Sequence, residues 1–139
     1  MTLYALLPKP LNTINDLKSI LNKFAPRGRE NKYYAQVFQA LRIEVNEELR
    51  VLEEFLEQSE QLLKPGGRLV VLSYHSLEDR LVKNFINKGK FSGEAEKDIY
   101  GNLQVPFRPV NKKPVEASEA EIARNNRARS AKLRIGEKI

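Results

Sequence analysis

The eighteen residues Leu63–Arg80, LKPGGRLVVLSYHSLEDR, constrain the fold more than any other stretch of the chain. Lys64-Pro65-Gly66-Gly67 is a stop-and-turn signal, because proline cannot continue a helix and glycine accepts positive φ. Leu69, Val70, Val71 and Leu72 form a continuous apolar run, the pattern of a strand buried on both faces of a parallel sheet. Ser76 then opens a helix over Leu77, Leu81, Val82 and Phe85, with Asp79 three residues on as its capping-box partner. The expected order is helix, glycine turn, buried strand, loop, helix. Open α/β sheets bind ligands beyond the carboxyl ends of their strands. Here that position holds Ser73-Tyr74-His75-Ser76.

Length limits the rest. A chain of 139 residues is one domain at most and buries roughly 68% of its unfolded surface. It has no cysteine and one histidine, which argues against disulfides, a thiolate nucleophile or a metal site. No apolar run approaches the ~20 residues that span a bilayer, and no signal peptide is visible, so a cytoplasmic protein is expected. The net charge of +6 is unevenly placed. Residues 1–79 carry 10 Lys/Arg against 11 Asp/Glu, and residues 80–139 carry 14 against 7. Such asymmetry fits a second half that faces a polyanion, most simply nucleic acid, or else a solvated basic surface.

In chain order, Met1–Leu11 is an extended lead-in marked by Pro8 and Pro10. Thr13 and Asp16 form a capping box before a short helix bearing Ile14, Leu17, Leu21 and Phe24 on one face. Ala25–Arg29 ends it as a basic loop. From Asn31 to Leu63 the periodicity predicts one long amphipathic helix, its stripe Phe38, Leu41, Val45, Leu49, Leu52, Leu56 and Leu63. Its outer face is acidic, with seven glutamates and one arginine over Glu44–Glu60. Gln39, Arg42 and Asn46 share one side of it, as a polar site or as ordinary surface. Lys88–Asn102 reads as a loop or irregular hairpin turning at Gly101-Asn102. Val105–Val110 is an edge strand if a strand at all, given Pro106 and Pro109. Ser118 and Glu121 open a short helix ending near Asn125-Asn126. Ala131, Leu133 and Ile135 then alternate with Lys132 and Arg134 in a closing strand.

Three constellations could carry chemistry. The first is Ser73–Arg80. Serine beside histidine suggests hydrolysis, but sequence neighbours seldom have triad geometry and no G-x-S-x-G elbow is present. A helix cap at Ser76, acidic residues at the helix's positive end and a site-lining His75 form the other reading. The second is Asn126–Arg134, with four basic residues in eight positions, suited to phosphate contacts or to a charge-guarded strand edge. The third is Gly66-Gly67, which resembles a phosphate-binding turn yet precedes a strand rather than opening a helix.

FQALRIEVNEEL (Phe38–Leu49), LKPGGRLVVLSYHSLEDRLVK (Leu63–Lys83) and NNRARSAKLRIGEK (Asn125–Lys138) resemble three signatures of the ribosomal RNA small subunit methyltransferase H family. Order and spacing match from about Thr13 to the C-terminus, and Asn126 stands where that family usually has proline. LKPGGRLVV is shared among class I methyltransferases; SYHSLEDR together with RARSAKLR is far more specific. The resemblance implies an α/β fold: the last three strands of a Rossmann-like class I methyltransferase sheet, preceded by long helices from a helical insertion. It implies an insertion tail and basic loop over 1–30 and the C-terminal part of the methyltransferase domain over 31–139. The family is about twice this long and opens on a glycine-rich cofactor loop. This chain is therefore expected to be a C-terminal half, without cofactor contacts and inactive alone.

The implied function is S-adenosyl-L-methionine-dependent N4-methylation of a cytidine in small-subunit ribosomal RNA; a non-catalytic RNA-binding module is the alternative. Ser73, His75 and Ser76 are the catalytic candidates. Arg42, Asn46, His75, Arg127, Arg129, Ser130, Lys132 and Arg134 are the candidates for RNA contact, the last cluster through phosphates. No metal, membrane or bound cofactor is expected. A homodimer is expected through an exposed strand edge or helix face.

Overall fold

A computed structural model describes residues 11–139, so the lead-in expected over Met1–Leu11 lies almost wholly outside them. The first helix, α1 (Ile14–Leu21), is set by its cap. Thr13 Oγ1 accepts from the Asp16 backbone N–H at 3.2 Å, and Asp16 Oδ2 accepts from the Thr13 N–H at 2.9 Å. Two orphan donors are thereby satisfied, which an isolated eight-residue helix needs. Tyr34 Oη donates to Asn22 Oδ1 at 3.0 Å, and Lys18 Nζ lies 6.0 Å from the centre of the Tyr34 ring.

The long helix expected over Asn31–Leu63 is two helices, α2 (Glu30–Asn46) and α3 (Glu48–Leu62). Between them Glu47 takes a left-handed conformation, φ 50°, which ends α2 without glycine or proline. A non-glycine residue there costs of order 1–3 kcal/mol. Polar contacts across the break offset this: Arg42 Nη2 and Asn46 Nδ2 donate to the Glu48 carboxylate at 2.9 and 3.3 Å. Neither partner disturbs the apolar periodicity, which is why the pattern reads straight through. The chain forms two compact units, one ending at Glu48 and the other Leu49–Ile139.

In the second unit the Lys64–Gly67 turn delivers the chain into β1 (Arg68–Ser73), with Gly66 at φ 81°. The chain then runs through α4 (Ser76–Lys88), β2 (Phe107–Pro109), β3 (Val115–Glu116), α5 (Glu119–Arg124), a 3₁₀ turn (Asn126–Ser130) and β4 (Lys132–Lys138). β4 is the middle strand. β1 pairs along one edge of it, Arg68 opposite Glu137 to Ser73 opposite Lys132, and β2 and β3 pair with it as well. Every pairing is antiparallel, so β1 and β2 run parallel to each other with the last strand between them.

This corrects the expectation that β1 is buried on both faces. Among the described residues its only strand partner is β4. Leu69 is buried and Val71 partly buried on the helix-covered face, whereas Val70 and Leu72 on the other remain 54% and 50% exposed. The core is Leu56, Leu69, Val82, Phe85, Ile86 and Phe107, drawn from α3, β1, α4 and β2. Phe85 stacks on Phe91 at 5.3 Å and tilts against Phe107 at 5.8 Å. The predicted edge strand is thus real, and Phe107 in it is fully enclosed. Gly136 lies buried on β4, where a Cβ would meet Ile86 Cγ1 at 3.2 Å. On the far end of the sheet Glu137 receives Arg108 Nη2 at 2.6 Å and Arg68 Nε at 3.4 Å, and this holds its carboxyl below the ordinary range.

Candidate nucleic-acid interface

β1 ends in Ser73, which is 5% exposed and whose Oγ donates to the Lys132 carbonyl at 3.4 Å. That catalytic candidate is turned into the sheet. Alternation along the strand then sends Tyr74 outward, 48% exposed, followed by half-buried His75 and exposed Ser76. The expectation that the tetrapeptide stands at the strand's carboxyl end therefore holds, and His75 is not enclosed in the core.

The cap differs from the expected one. His75, not Ser76, is the N-cap of α4, with φ −118° and ψ 145°, and Ser76 is the first helical residue. The N3 partner is accordingly Glu78, whose Oε2 accepts from the backbone N–H groups of Tyr74 at 3.1 Å and His75 at 3.2 Å. One carboxylate fixes two successive residues of the loop, and its charge complements the positive end of the helix.

Asp79, freed from capping, is buried and faces β4. Its carboxylate accepts Arg134 Nε at 2.7 Å and Nη2 at 3.0 Å, with Lys132 Nζ 4.0 Å away. The two-nitrogen grip expected of an arginine on phosphate is spent here on a neighbouring carboxylate. Arg134, with a side chain 11% exposed, is thus a strut between α4 and β4 rather than an outward phosphate contact. Lys132 remains 39% exposed beside it.

The basic segment ahead of β4 behaves differently. Asn125 Oδ1 accepts from the Arg127 N–H at 3.2 Å and starts the 3₁₀ turn. Ala128 and Ala131 are buried, and Arg127, Arg129 and Ser130 are exposed around them. Two small apolar anchors thereby turn both guanidinium groups to solvent. Because Lys132 is paired with Ser73, this turn and the Tyr74–His75 loop lie at the same end of the sheet.

Arg42 and Asn46, the remaining candidates, belong to the first unit and hold Glu48, as above. That unit has its own basic cleft of about 240 Å³, lined by Pro26, Arg29, Lys32, Tyr33 and Gln36. The Gly66-Gly67 turn is structural: the Gly66 N–H donates to the Lys138 carbonyl and the Gly67 N–H to the Lys64 carbonyl, both at 2.8 Å. Sequence reasoning places Tyr74 in the edge tetrapeptide without a role, although alternation with Ser73 marks it as outward. It also missed the Asp79–Arg134 pair, for which no local signal exists. Among the described residues no group of His, Asp or Glu could hold a metal ion, and no helix is long and apolar enough to cross a membrane.

Comparison with known proteins agrees with the resemblance. The chain is 62% identical over 130 residues to a ribosomal RNA small subunit methyltransferase H of Cytophaga hutchinsonii, covering 94% of this chain and 43% of the relative. Proteins of the same name from Flavobacterium johnsoniae and Amoebophilus asiaticus are 59% and 60% identical, over 94% and 93% of this chain and 43% and 42% of theirs. The chain thus spans less than half the length of these relatives. The model of the MraW methylase family matches residues 7–139, and the chain belongs to that family.

Proposed function

We propose that this chain is the RNA-facing C-terminal portion of a small-subunit ribosomal RNA methyltransferase that methylates the exocyclic N4 of a cytidine. The observation that carries the reading is the convergence of Tyr74-His75 with the exposed Arg127 and Arg129 at the carboxyl end of β1, where α/β sheets present their ligands. The names of the relatives support the substrate class. The strand order β1-β4-β2, with parallel outer strands and the last strand reversed between them, supports a Rossmann-like parent sheet. On this reading residues 1–30 are the tail of a helical insertion and 31–139 the end of the methyltransferase domain, in a cytoplasmic enzyme.

S-adenosyl-L-methionine is the methyl donor that the family implies. Its site is assigned to the part of the relatives that this chain does not span, and the Gly66-Gly67 turn offers it no amide, since both are bonded within the chain. This chain's residues are therefore assigned to the RNA. Arg127 and Arg129 contact phosphates, Lys132 adds positive charge, and Ser130 lies on the same turn. His75 is the group at the edge able to accept the proton that the amine sheds, with Ser76 beside it in the chain, while Ser73 positions the loop. A binding module without catalysis would use the same surface, and assay of the full-length parent separates the two.

Titration of the chain with single-stranded RNA at several salt concentrations tests the reading. Arg127→Ala and Arg129→Ala should each weaken binding for every RNA sequence alike and lower the salt slope by about 0.7–1. Undiminished binding by both variants would contradict it. A second copy of the chain against the open edge of β1 is part of the same proposal.

A further inference from the structure

We infer that Tyr74 is the stacking platform for a nucleobase of the bound RNA, an inference that rests on the RNA reading above and deepens it. The two sides of the β1–α4 junction are built differently. Ser73 is drawn into the sheet by its bond to the Lys132 carbonyl, and the next residue presents an aromatic ring to solvent. An exposed tyrosine on a mobile loop would lose much of any stacking gain to ordering. This one is held already, because its backbone N–H donates to Glu78 Oε2 at 3.1 Å and the adjacent His75 N–H donates to the same oxygen. Preorganisation of this kind lowers the entropy lost on binding.

The surroundings select the ligand. Arg127 and Arg129 stand at the same end of the sheet, exposed around the buried Ala128. Residues 80–139, which supply both, carry 14 basic against 7 acidic side chains. Cations that draw a phosphodiester backbone, with an outward aromatic face at the same end of the sheet, are the two elements that single-stranded nucleic acid requires. A base that is to be modified must also leave its stack, and an aromatic ring compensates part of the stacking that is lost. Among the described residues the other exposed tyrosine, Tyr100, is 83% exposed in the Asp98–Gly101 turn. That excursion closes near Pro106, whose carbonyl accepts from the Ile139 N–H at the opposite end of β4. It is the natural control.

The test compares a short unstructured oligoribonucleotide with the same oligomer made abasic at its central positions. The wild-type chain should bind the intact oligomer about tenfold more tightly than the abasic one. Tyr74→Ala and Tyr74→Leu should bind both alike, at the abasic level, with an unchanged salt slope, whereas Tyr74→Phe and Tyr100→Ala should behave as wild type. The chain has no tryptophan, so Tyr74→Trp adds a single reporter whose emission should be quenched by the intact oligomer only. Retention of the base preference by both Tyr74→Ala and Tyr74→Leu would overturn the stacking role and leave the RNA reading intact. Failure of the wild-type chain to bind either oligomer would overturn both.

Discussion

Asp79 has two acceptable local roles, and only its surroundings choose between them. In sequence it lies three residues after Ser76, the spacing of a capping partner. In the folded chain Glu78 takes that part and Asp79 closes on Arg134 instead. The pair is nearly enclosed, with both side chains 11% exposed, so removal of one partner leaves the other charge desolvated. Asp79→Asn should therefore destabilise the chain by about 3 kcal/mol, measured as a shift of the urea midpoint at constant slope. A double replacement of Asp79 and Arg134 by leucine should recover most of that loss, because two apolar side chains leave no unpaired charge. Recovery would identify the pair as a structural strut between α4 and β4. Tyr74 and Ser73 make the same point in reverse, since alternation along one strand separates an outward ring from an inward hydroxyl.

Elements here are defined at their ends. α1 and α5 begin where Thr13 and Ser118 accept from the N–H groups of Asp16 and Glu121, as the spacing of those residues predicts. The break at Glu47 was illegible because contacts with the Glu48 carboxylate, not a helix-breaking residue, sustain it. α4 ends differently. Gly89 follows Lys88 at φ 67°, its N–H donates to the Phe85 carbonyl at 2.9 Å, and a Cβ there would lie 2.8 Å from Pro106 Cδ. Gly89→Ala combines a disfavoured backbone conformation with a clash against a rigid ring. It should destabilise by about 1–2 kcal/mol in urea denaturation, with Gly28→Ala, where nothing lies within 4 Å, costing less.

At the scale of the whole chain the open edge of β1 is the main consequence of the topology. Val70 and Leu72 are half exposed beside a row of backbone groups with no second strand among the described residues. Association across that edge removes apolar area from water and pairs those groups. Sedimentation equilibrium at micromolar concentration should accordingly show species heavier than 16.0 kDa, and a monomer at every concentration would contradict it. Sequence alone determined the local skeleton: the turn at Gly66, the strand after it, the caps of α1 and α5, the closing strand and the family signatures. These follow from short-range chemistry, in which a side chain meets the backbone three or four residues away. Tertiary structure decided which face of each element is used. It paired Lys132 with Ser73, turned Arg134 inward onto Asp79, and left Tyr74, Arg127 and Arg129 facing outward at one end of the sheet. The physical reason is range: Asp79 and Arg134 are 55 residues apart, and no local periodicity carries the register that brings them within 3 Å.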